Sequence, residues 1–222
     1  MIVTLSKDEL KQLFLITGAL AVLLIVCFAL VRSLVFHAEV ASAIVQSTMT
    51  AVPLAALVMA LVVRRNWTWF WLARLAGRPT VHGVWWGHLE AFYQGQKLEP
   101  IQIAFVVKQT YVSLSIQSFT EAISADSTIE VFERNEKSDD VRLKYVYQMN
   151  RQANAEHKLT TGYGDLRLQD GGNVLSGFYW TNSPTEGRIF LKVVQRKCDD
   201  VNCFESAKRA FERQSRLANA IT

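Results

Sequence analysis

Two long stretches without charge near the start of the chain constrain its structure more than any other feature. Residues 12–31 contain no Asp, Glu, Lys or Arg, and neither do residues 40–63. A run of about 18 or more mostly apolar residues is long enough to form a membrane-spanning helix. We therefore predict two membrane spans, at about these residues, joined by a short turn, and we exclude a purely soluble protein.

A cleaved signal peptide is the alternative explanation for the first stretch. Its 20 uncharged residues exceed the apolar region of about 7–15 residues that is typical of such peptides. No small-x-small cleavage site precedes a start that is typical of a mature protein. The second stretch follows so closely that a helical hairpin explains both.

Basic residues mark one end of this hairpin. They precede the first span and follow the second, at Lys7, Lys11, Arg64, Arg65, Arg74 and Arg78. The turn between the spans carries only Arg32 and Glu39 as strongly charged residues. Since basic flanks stay on the cytoplasmic side, we predict a multi-pass membrane protein with both termini in the cytoplasm. The aromatic segment Trp67–Trp71 then lies where interface anchors occur.

The charge balance divides the chain at the same point. The formal net charge is +4, yet residues 79–222 contain 17 basic and 17 acidic residues. A part that is neutral on average is poor evidence for a face that binds DNA or RNA. We therefore predict a membrane unit at residues 1–78 and a cytoplasmic domain at residues 79–222, without a nucleic-acid polymer as partner.

A stripe of small residues recurs at every fourth position of the second span. Its members are Ala43, Ser47, Ala51 and Ala55. Small residues at this spacing let two helix backbones approach closely in lipid. The stripe predicts either packing on the first span, near Gly18 and Ala19, or packing between protomers of a homo-oligomer. Both can hold on different faces, and the stripe is our candidate for the contact that forms on oligomerisation.

The rest of the chain alternates between apolar and polar residues, as strands do. The side chains of Val141, Leu143, Tyr145 and Tyr147, for example, share one face of a strand. Eight strands are predicted, near His82–Phe92, Glu99–Lys108, Tyr111–Phe119, Thr128–Arg134, Val141–Asn150, His157–Leu168, Val174–Trp180 and Arg188–Gln195. Short turns without helical segments between them indicate an eight-stranded antiparallel up-and-down β-barrel, whose closure removes exposed edges.

A helix is predicted at the end of the chain, over Phe204–Ile221. An incomplete apolar stripe lies opposite a basic face on this helix. The helix can pack on the barrel, cap one of its mouths or contact an anionic membrane surface, and we favour packing on the barrel. The predicted fold class is thus a membrane α-hairpin followed by an all-β barrel with a C-terminal helix.

The sequence shows none of the motifs that would indicate catalysis. It has no phosphate-binding glycine loop, metal motif or nucleophile elbow, and its four His residues are scattered. Cys198 and Cys203 lack the further ligands of a zinc site, and we expect reduced thiols in a cytoplasmic domain. Gly162 and Gly164 predict a bend or bulge in a strand. We therefore expect neither enzyme activity, nor a cofactor, nor a bound metal.

Aromatic residues in the predicted barrel are candidates for binding a small ligand. Adjacent aromatics on one strand point to opposite faces, so part of each group points inward. Such residues either fill the core or stack on a base, with a cation nearby for a phosphate. The candidate ligand-binding residues are Trp85, Trp86, Tyr163, Tyr179 and Arg188.

These features together resemble one bacterial family. The resemblance lies in the two-span hairpin, in Gly83-Val-Trp85-Trp-Gly87, in Leu175-Ser-Gly177-Phe-Tyr179-Trp-Thr181-Asn182 and in Gly187-Arg-Ile189-Phe-Leu191. The chain is similar to the two-transmembrane, β-strand-rich effectors of cyclic-oligonucleotide-based antiphage signalling systems, which accompany a cyclic nucleotide synthase.

The resemblance implies a function for both parts of the chain. In this family the barrel binds a cyclic dinucleotide that is made after phage infection. Binding drives oligomerisation in the bacterial inner membrane, the membrane loses its integrity, and the infected cell dies or stops growing. The alternatives are a membrane-anchored, lipocalin-like barrel that binds a lipid or small metabolite, and a structural membrane anchor without a ligand.

Overall fold

A computed structural model describes most of the chain, namely residues 7–37, 39–64, 78–135, 137–138, 140–151 and 159–219. The expected aromatic anchors at Trp67–Trp71 lie outside these residues. The helices are α1 (Lys7–Phe36), α2 (Val40–Arg64) and α3 (Phe204–Asn219). The strands are β1 (Gly83–Tyr93), β2 (Gln96–Lys97), β3 (Ile101–Gln109), β4 (Leu114–Phe119), β5 (Ile123–Asn135), β6 (Asp140–Arg151), β7 (Thr160–Gln169), β8 (Val174–Thr181) and β9 (Thr185–Gln195).

Eight of these strands form a closed antiparallel barrel. Neighbours along the chain pair in the order β1-β3-β4-β5-β6-β7-β8-β9, and β1 pairs with β9 to close the ring. The two-residue strand β2 pairs only with the end of β1. The predicted fold class, an apolar hairpin followed by an eight-stranded up-and-down barrel with a C-terminal helix, is confirmed.

The strand boundaries differ from the predicted ones mainly in β5. This strand begins at Ile123, whereas the alternation predicts a start at Thr128. A register shift between Ser127 and Ile129 interrupts the alternation, so the residues before it fall out of phase with those after it. A bulge of this kind changes which residues face inward, and the period-two pattern does not reveal it.

One end of the barrel is filled by apolar side chains. The largest fully buried ones come from seven different strands, and they are Trp85, Phe105, Ile116, Leu143, Leu166, Leu175 and Leu191. Burying a side chain of this size stabilises a fold by roughly 1.5–3 kcal/mol. We call this filled end the closed end; it lies where β1 begins and β3 ends.

The closed end contacts the start of α1. The Arg78 guanidinium lies 3.4 Å from a Glu9 carboxylate oxygen and donates to the Tyr111 carbonyl. The Tyr111 hydroxyl in turn donates to the Glu9 carbonyl at 3.3 Å. The barrel therefore turns its closed end towards the end of the hairpin from which the chain enters and leaves.

Helices α1 and α2 pack against each other as a hairpin. Glu9–Val35 and Val40–Arg64 are long and apolar enough to span a membrane by length and composition. The small-residue stripe is buried in the α1–α2 contact, with Ala51 and Ala55 fully inaccessible. Gly18 and Ala19 are exposed, so the stripe packs against other residues of α1. The stripe thus packs within the hairpin, and its expected contact between protomers stays a prediction.

Helix α3 covers part of the outer wall of the barrel. Phe204, Ala207 and Ala210 are buried against outward-facing residues of β1, β3 and β9. The Trp86 ring lies 5.3 Å from the ring of Phe211, and the two are nearly parallel. Of the three expected positions for this helix, the structure shows packing on the barrel.

Candidate functional site

The half of the barrel opposite the closed end encloses a cavity of about 600 Å³. This volume lies within the range of about 300–1,000 Å³ that is usual for small-molecule sites. Apolar side chains and hydroxyl groups line it from nearly all strands, among them Ile103, Ala125, Met149, Thr160, Thr181 and Ile189. We call it the open-half cavity.

Three tyrosines dominate this cavity. Tyr145 and Tyr147 come from β6 and Tyr179 from β8, and all three are more than 90% buried. The ring centroids of Tyr145 and Tyr147 are 5.6 Å apart. Together the rings form an aromatic surface inside the barrel.

Glycines on β7 create the space for two of these rings. A Cβ atom at Gly162 would lie 2.3 Å from the Tyr147 ring, and one at Gly164 would lie 2.3 Å from the Tyr145 ring. No L side chain tolerates such a distance without displacing the ring. The pairing of β7 with both neighbours continues through these glycines, so they form no bulge.

The tyrosine hydroxyls are free to bind a ligand. Within the described part of the chain, none of the three phenol oxygens of Tyr145, Tyr147 and Tyr179 has a hydrogen-bond partner. Burial raises the pKa of Tyr179 to about 12 and raises the pKa values of Tyr145 and Tyr147 further above the usual range. All three therefore remain protonated donors at any physiological pH.

The charges near the cavity are acidic. The described lining includes Glu99 and Glu121 but neither a Lys nor an Arg. Deeper in the barrel, Glu130 is 5% exposed and accepts a hydrogen bond from the Ser127 hydroxyl. Desolvation raises the pKa of Glu130 above that of an ordinary carboxyl group. The described lining of the cavity thus offers hydroxyl donors and aromatic faces rather than cations.

Of the five candidate residues, Tyr179 alone is among the lining residues described for this cavity. Trp85 points inward but lies in the closed end, where its indole Nε1 donates to the Val81 carbonyl at 2.8 Å. The Arg196 guanidinium covers the Trp85 ring at 5.5 Å. Trp85 is therefore a core residue whose polar atom is already paired.

The other three candidates lie on the outer wall. Trp86 is covered by α3, and Tyr163 lies 6.0 Å from the ring of Trp180. The Arg188 guanidinium lies 5.2 Å above the ring of Phe178. These three candidates therefore lie outside the open-half cavity, and a role for them in ligand binding stays a prediction.

Tyr145 and Tyr147 are the cavity residues that the sequence interpretation missed. Their shared face with Leu143 is visible in the alternation of β6. The missing signal was which face of that strand is turned inward. Gly162 and Gly164, on the next strand, could have supplied it, because large residues in a narrow barrel need small ones opposite them.

Metal binding finds no support in the described residues. They contain no group of three or more His, Cys, Asp or Glu side chains that could hold an ion. Cys198 and Cys203 are free thiols, and Cys198 is buried.

The barrel is similar in sequence to known proteins. Residues 77–193, about half of the chain, match a family model described as the Cap15 cyclic dinucleotide receptor domain. A relative in Staphylococcus schleiferi, CD-NTase-associated protein 15, is 28% identical over 130 residues. The alignment covers 58% of this chain and 69% of that relative.

Proposed function

The chain belongs to the family of Cap15 cyclic dinucleotide receptor domains, and from this premise we propose that it binds a cyclic dinucleotide in the open-half cavity. The observation that carries the proposal is the set of three buried tyrosines whose hydroxyls lack partners among the described residues. These hydroxyls are not among the buried unpaired atoms, so they are accessible from the cavity and can donate to a ligand that enters it.

The lining determines how such a ligand lies. The bases stack on the tyrosine rings, and each stacked base contributes about 1–3 kcal/mol. The phosphates stay near the mouth and in contact with water, because burying an unpaired charge is strongly unfavourable. The phenol hydroxyls of Tyr145, Tyr147 and Tyr179 then donate to acceptor atoms on the base edges.

Hydroxyl deletion tests this arrangement. The purified full chain, in detergent, is melted with cyclic di-AMP, cyclic di-GMP, cyclic GMP–AMP or cyclic di-UMP. At least one of them is expected to raise the melting temperature, and Tyr147→Phe and Tyr179→Phe each weaken its binding by roughly 0.5–1.5 kcal/mol. Tyr163→Phe is the matched control, because the same atom is removed from the outer wall. No stabilisation by any of the four compounds, or equal binding by all variants, contradicts the proposal.

We further propose that ligand binding drives oligomerisation in the bacterial inner membrane and disrupts it, as an antiphage effector would. The two candidate spans and the closed end turned towards them support a barrel that projects from the membrane, and the basic residues that flank the spans on that side support a cytoplasmic location. A reporter that is active only in the cytoplasm should be active when fused to either terminus, and a reporter that is active only outside the cytoplasm should not. Induction of the chain with its ligand should admit a membrane-impermeant dye, whereas Tyr179→Phe should reduce dye entry.

A neutral ligand is the second candidate. It is favoured by the lack of Lys and Arg among the described lining residues and by the largely apolar lining. The same melting experiment includes monoolein, an uncharged lipid, and a detergent-free nanodisc sample. Stabilisation by this lipid, without stabilisation by any cyclic dinucleotide, would replace the signalling function by lipid or metabolite binding.

A further inference from the structure

The outer wall of the barrel exposes two large aromatic side chains on β8. Phe178 is 60% exposed and Trp180 is 55% exposed. They flank Tyr179, which points inward into the open-half cavity. Exposed aromatics that lie next to arginine are typical of the centre of a protein–protein interface.

Charges are arranged regularly around Phe178. The strand register places five outward-facing residues in one row across neighbouring strands, in the order Glu90, Arg188, Phe178, Asp165, Lys144. The row therefore runs negative, positive, aromatic, negative, positive. Read in the opposite direction, it has the opposite charge at every charged position. We call the surface around this row the Phe178 face.

The two inner charges of the row lack full partners within the chain. Asp165 Oδ2 lies 3.4 Å from Arg142, but Asp165 Oδ1 is buried and has no hydrogen-bond partner among the described residues. Arg188 stacks on Phe178, and within the same part of the chain its guanidinium makes no hydrogen bond and no ion pair. The exposed ring is thus flanked by the Arg188 guanidinium and by an Asp165 side chain that is 24% exposed; a second copy can reach Asp165 only beside its Arg142 contact, since Oδ1 is buried.

We propose that the Phe178 face binds the same face of a second copy, across a two-fold axis that runs along β8. This symmetry reverses the row, so Arg188 lies against the partner's Asp165 and Asp165 against the partner's Arg188. Phe178 packs on the partner's Phe178. Such an isologous contact is the commonest form of homodimer interface. The proposal deepens, and rests on, the proposed oligomerisation.

The position of the face favours a second copy over a membrane surface. Its neighbours Tyr179 and Ile189 line the open-half cavity, whereas α1 contacts the opposite end of the barrel. An axis along the wall from the closed end to the open end keeps both hairpins in one bilayer. The alternating charges also give no net attraction to anionic lipids.

The face is separated from the cavity by a single layer of backbone. Phe178 and Trp180 lie on the strand that also carries Tyr179, so a ligand that fixes Tyr179 also fixes the outward residues beside it. A stiffer β8 loses less conformational freedom on association, which favours the dimer. Ligand binding inside and pairing outside are thus coupled through one strand.

A charge exchange tests the interface. The full chain with Cys27→Ala is labelled at Cys203 with donor and acceptor dyes and reconstituted in vesicles of phosphatidylethanolamine and phosphatidylglycerol. Energy transfer is measured without ligand and with each of the four cyclic dinucleotides. Arg188→Asp and Asp165→Arg are each expected to weaken association about tenfold or more, and the double exchange is expected to restore it. Lys108→Asp, on the exposed surface of β3, is the control.

Cross-linking gives a second measurement that does not depend on charge. In a background with Cys27→Ala and Cys203→Ser, Phe178→Cys should cross-link to itself with a short bismaleimide. Ser115→Cys, exposed on the opposite strand β4, should not. No energy transfer in the parent, unchanged association in a single charge variant, or no recovery in the double exchange overturns the interface. Retained ligand-induced stabilisation in those variants shows that the proposed function has not failed with it.

Discussion

Tyr145 and Tyr147 reach into the barrel because β7 has glycine opposite each of them. The cross-strand row continues from Gly164 to Tyr179 and then to Gly187, so large and small residues alternate around the wall. This alternation leaves a cavity lined by rings, where four large side chains in one row would fill the barrel. The glycines therefore contribute to the site without touching the ligand.

A larger residue in place of one of these glycines should lower both the stability of the protein and its affinity for the ligand. In Gly164→Ala the new methyl group would overlap the Tyr145 ring, and overpacking of this kind costs about 1–3 kcal/mol. We expect that loss in urea unfolding, together with a weaker ligand-induced thermal shift. Thr161→Ala, on the outer side of the same strand, should stay within about 0.5 kcal/mol of the parent. Equal stability of the Gly164 variant would mean that the ring has room to move.

Glu130 predicts a dependence of stability on pH. Desolvation raises the pKa of its folded-state carboxyl group, so the folded chain holds this proton more tightly than the unfolded chain does. Stability from this group is therefore present below the unfolded pKa of about 4.3 and is lost as the pH rises through the folded pKa. Glu130→Gln should be more stable than the parent at pH 7, and the difference should shrink towards pH 4. Urea titrations at several pH values measure it, and a difference that grows in acid refutes the assignment.

In strands β1 and β8, the alternation of apolar and polar residues does not predict which side chains face the barrel interior. The strand number and antiparallel order follow from apolar periodicity and short turns. Each of these two strands, however, has large apolar residues on both faces, since α3 covers the outer side of β1 and β8 exposes Phe178 and Trp180. Periodicity therefore could not tell Trp85 from Trp86. In α2, likewise, the small-residue spacing predicts a close helix contact but does not identify the second helix.

The contact of α3 with β1 should be separable from ligand binding. Phe211→Ala removes a ring that stacks on Trp86, and we expect a loss of about 1–2 kcal/mol in the free energy of unfolding. The affinity for the ligand, measured by calorimetry well below the melting temperature, should stay within twofold, because the contact lies outside the cavity. A large loss of affinity would indicate that α3 supports the inner wall.

The closed end joins the barrel to the part of the chain that arrives from the hairpin. Arg196 donates to the carbonyls of Thr80 and His82 and to that of Gly172 on the neighbouring turn. Gln109 accepts hydrogen bonds from the backbone N–H groups of Val81 and His82. Residues 78–82 are thus fixed to the barrel.

Weaker contacts between Arg196 and the backbone around Thr80 should separate ligand binding in the barrel from membrane disruption by the helices. Lysine in Arg196→Lys keeps the charge but has a single nitrogen, whereas the guanidinium uses two nitrogens to reach these carbonyls, and we expect a loss of about 1–3 kcal/mol in stability. Ligand affinity at low temperature should be retained, whereas ligand-dependent dye entry into cells should fall. Lys192→Arg, on the outer wall of β9, is the control substitution. Full dye entry in the Arg196 variant would show that these Arg196 contacts are not needed for ligand-dependent membrane disruption.

The packed plug around Trp85 also decides what can reach the tyrosines. If α1 and α2 span a membrane as proposed, the indole and leucine side chains of the closed end lie between the bilayer and the cavity, and the open half faces the aqueous phase. A dissolved ligand would then enter the cavity directly, whereas a lipid would first have to leave the bilayer.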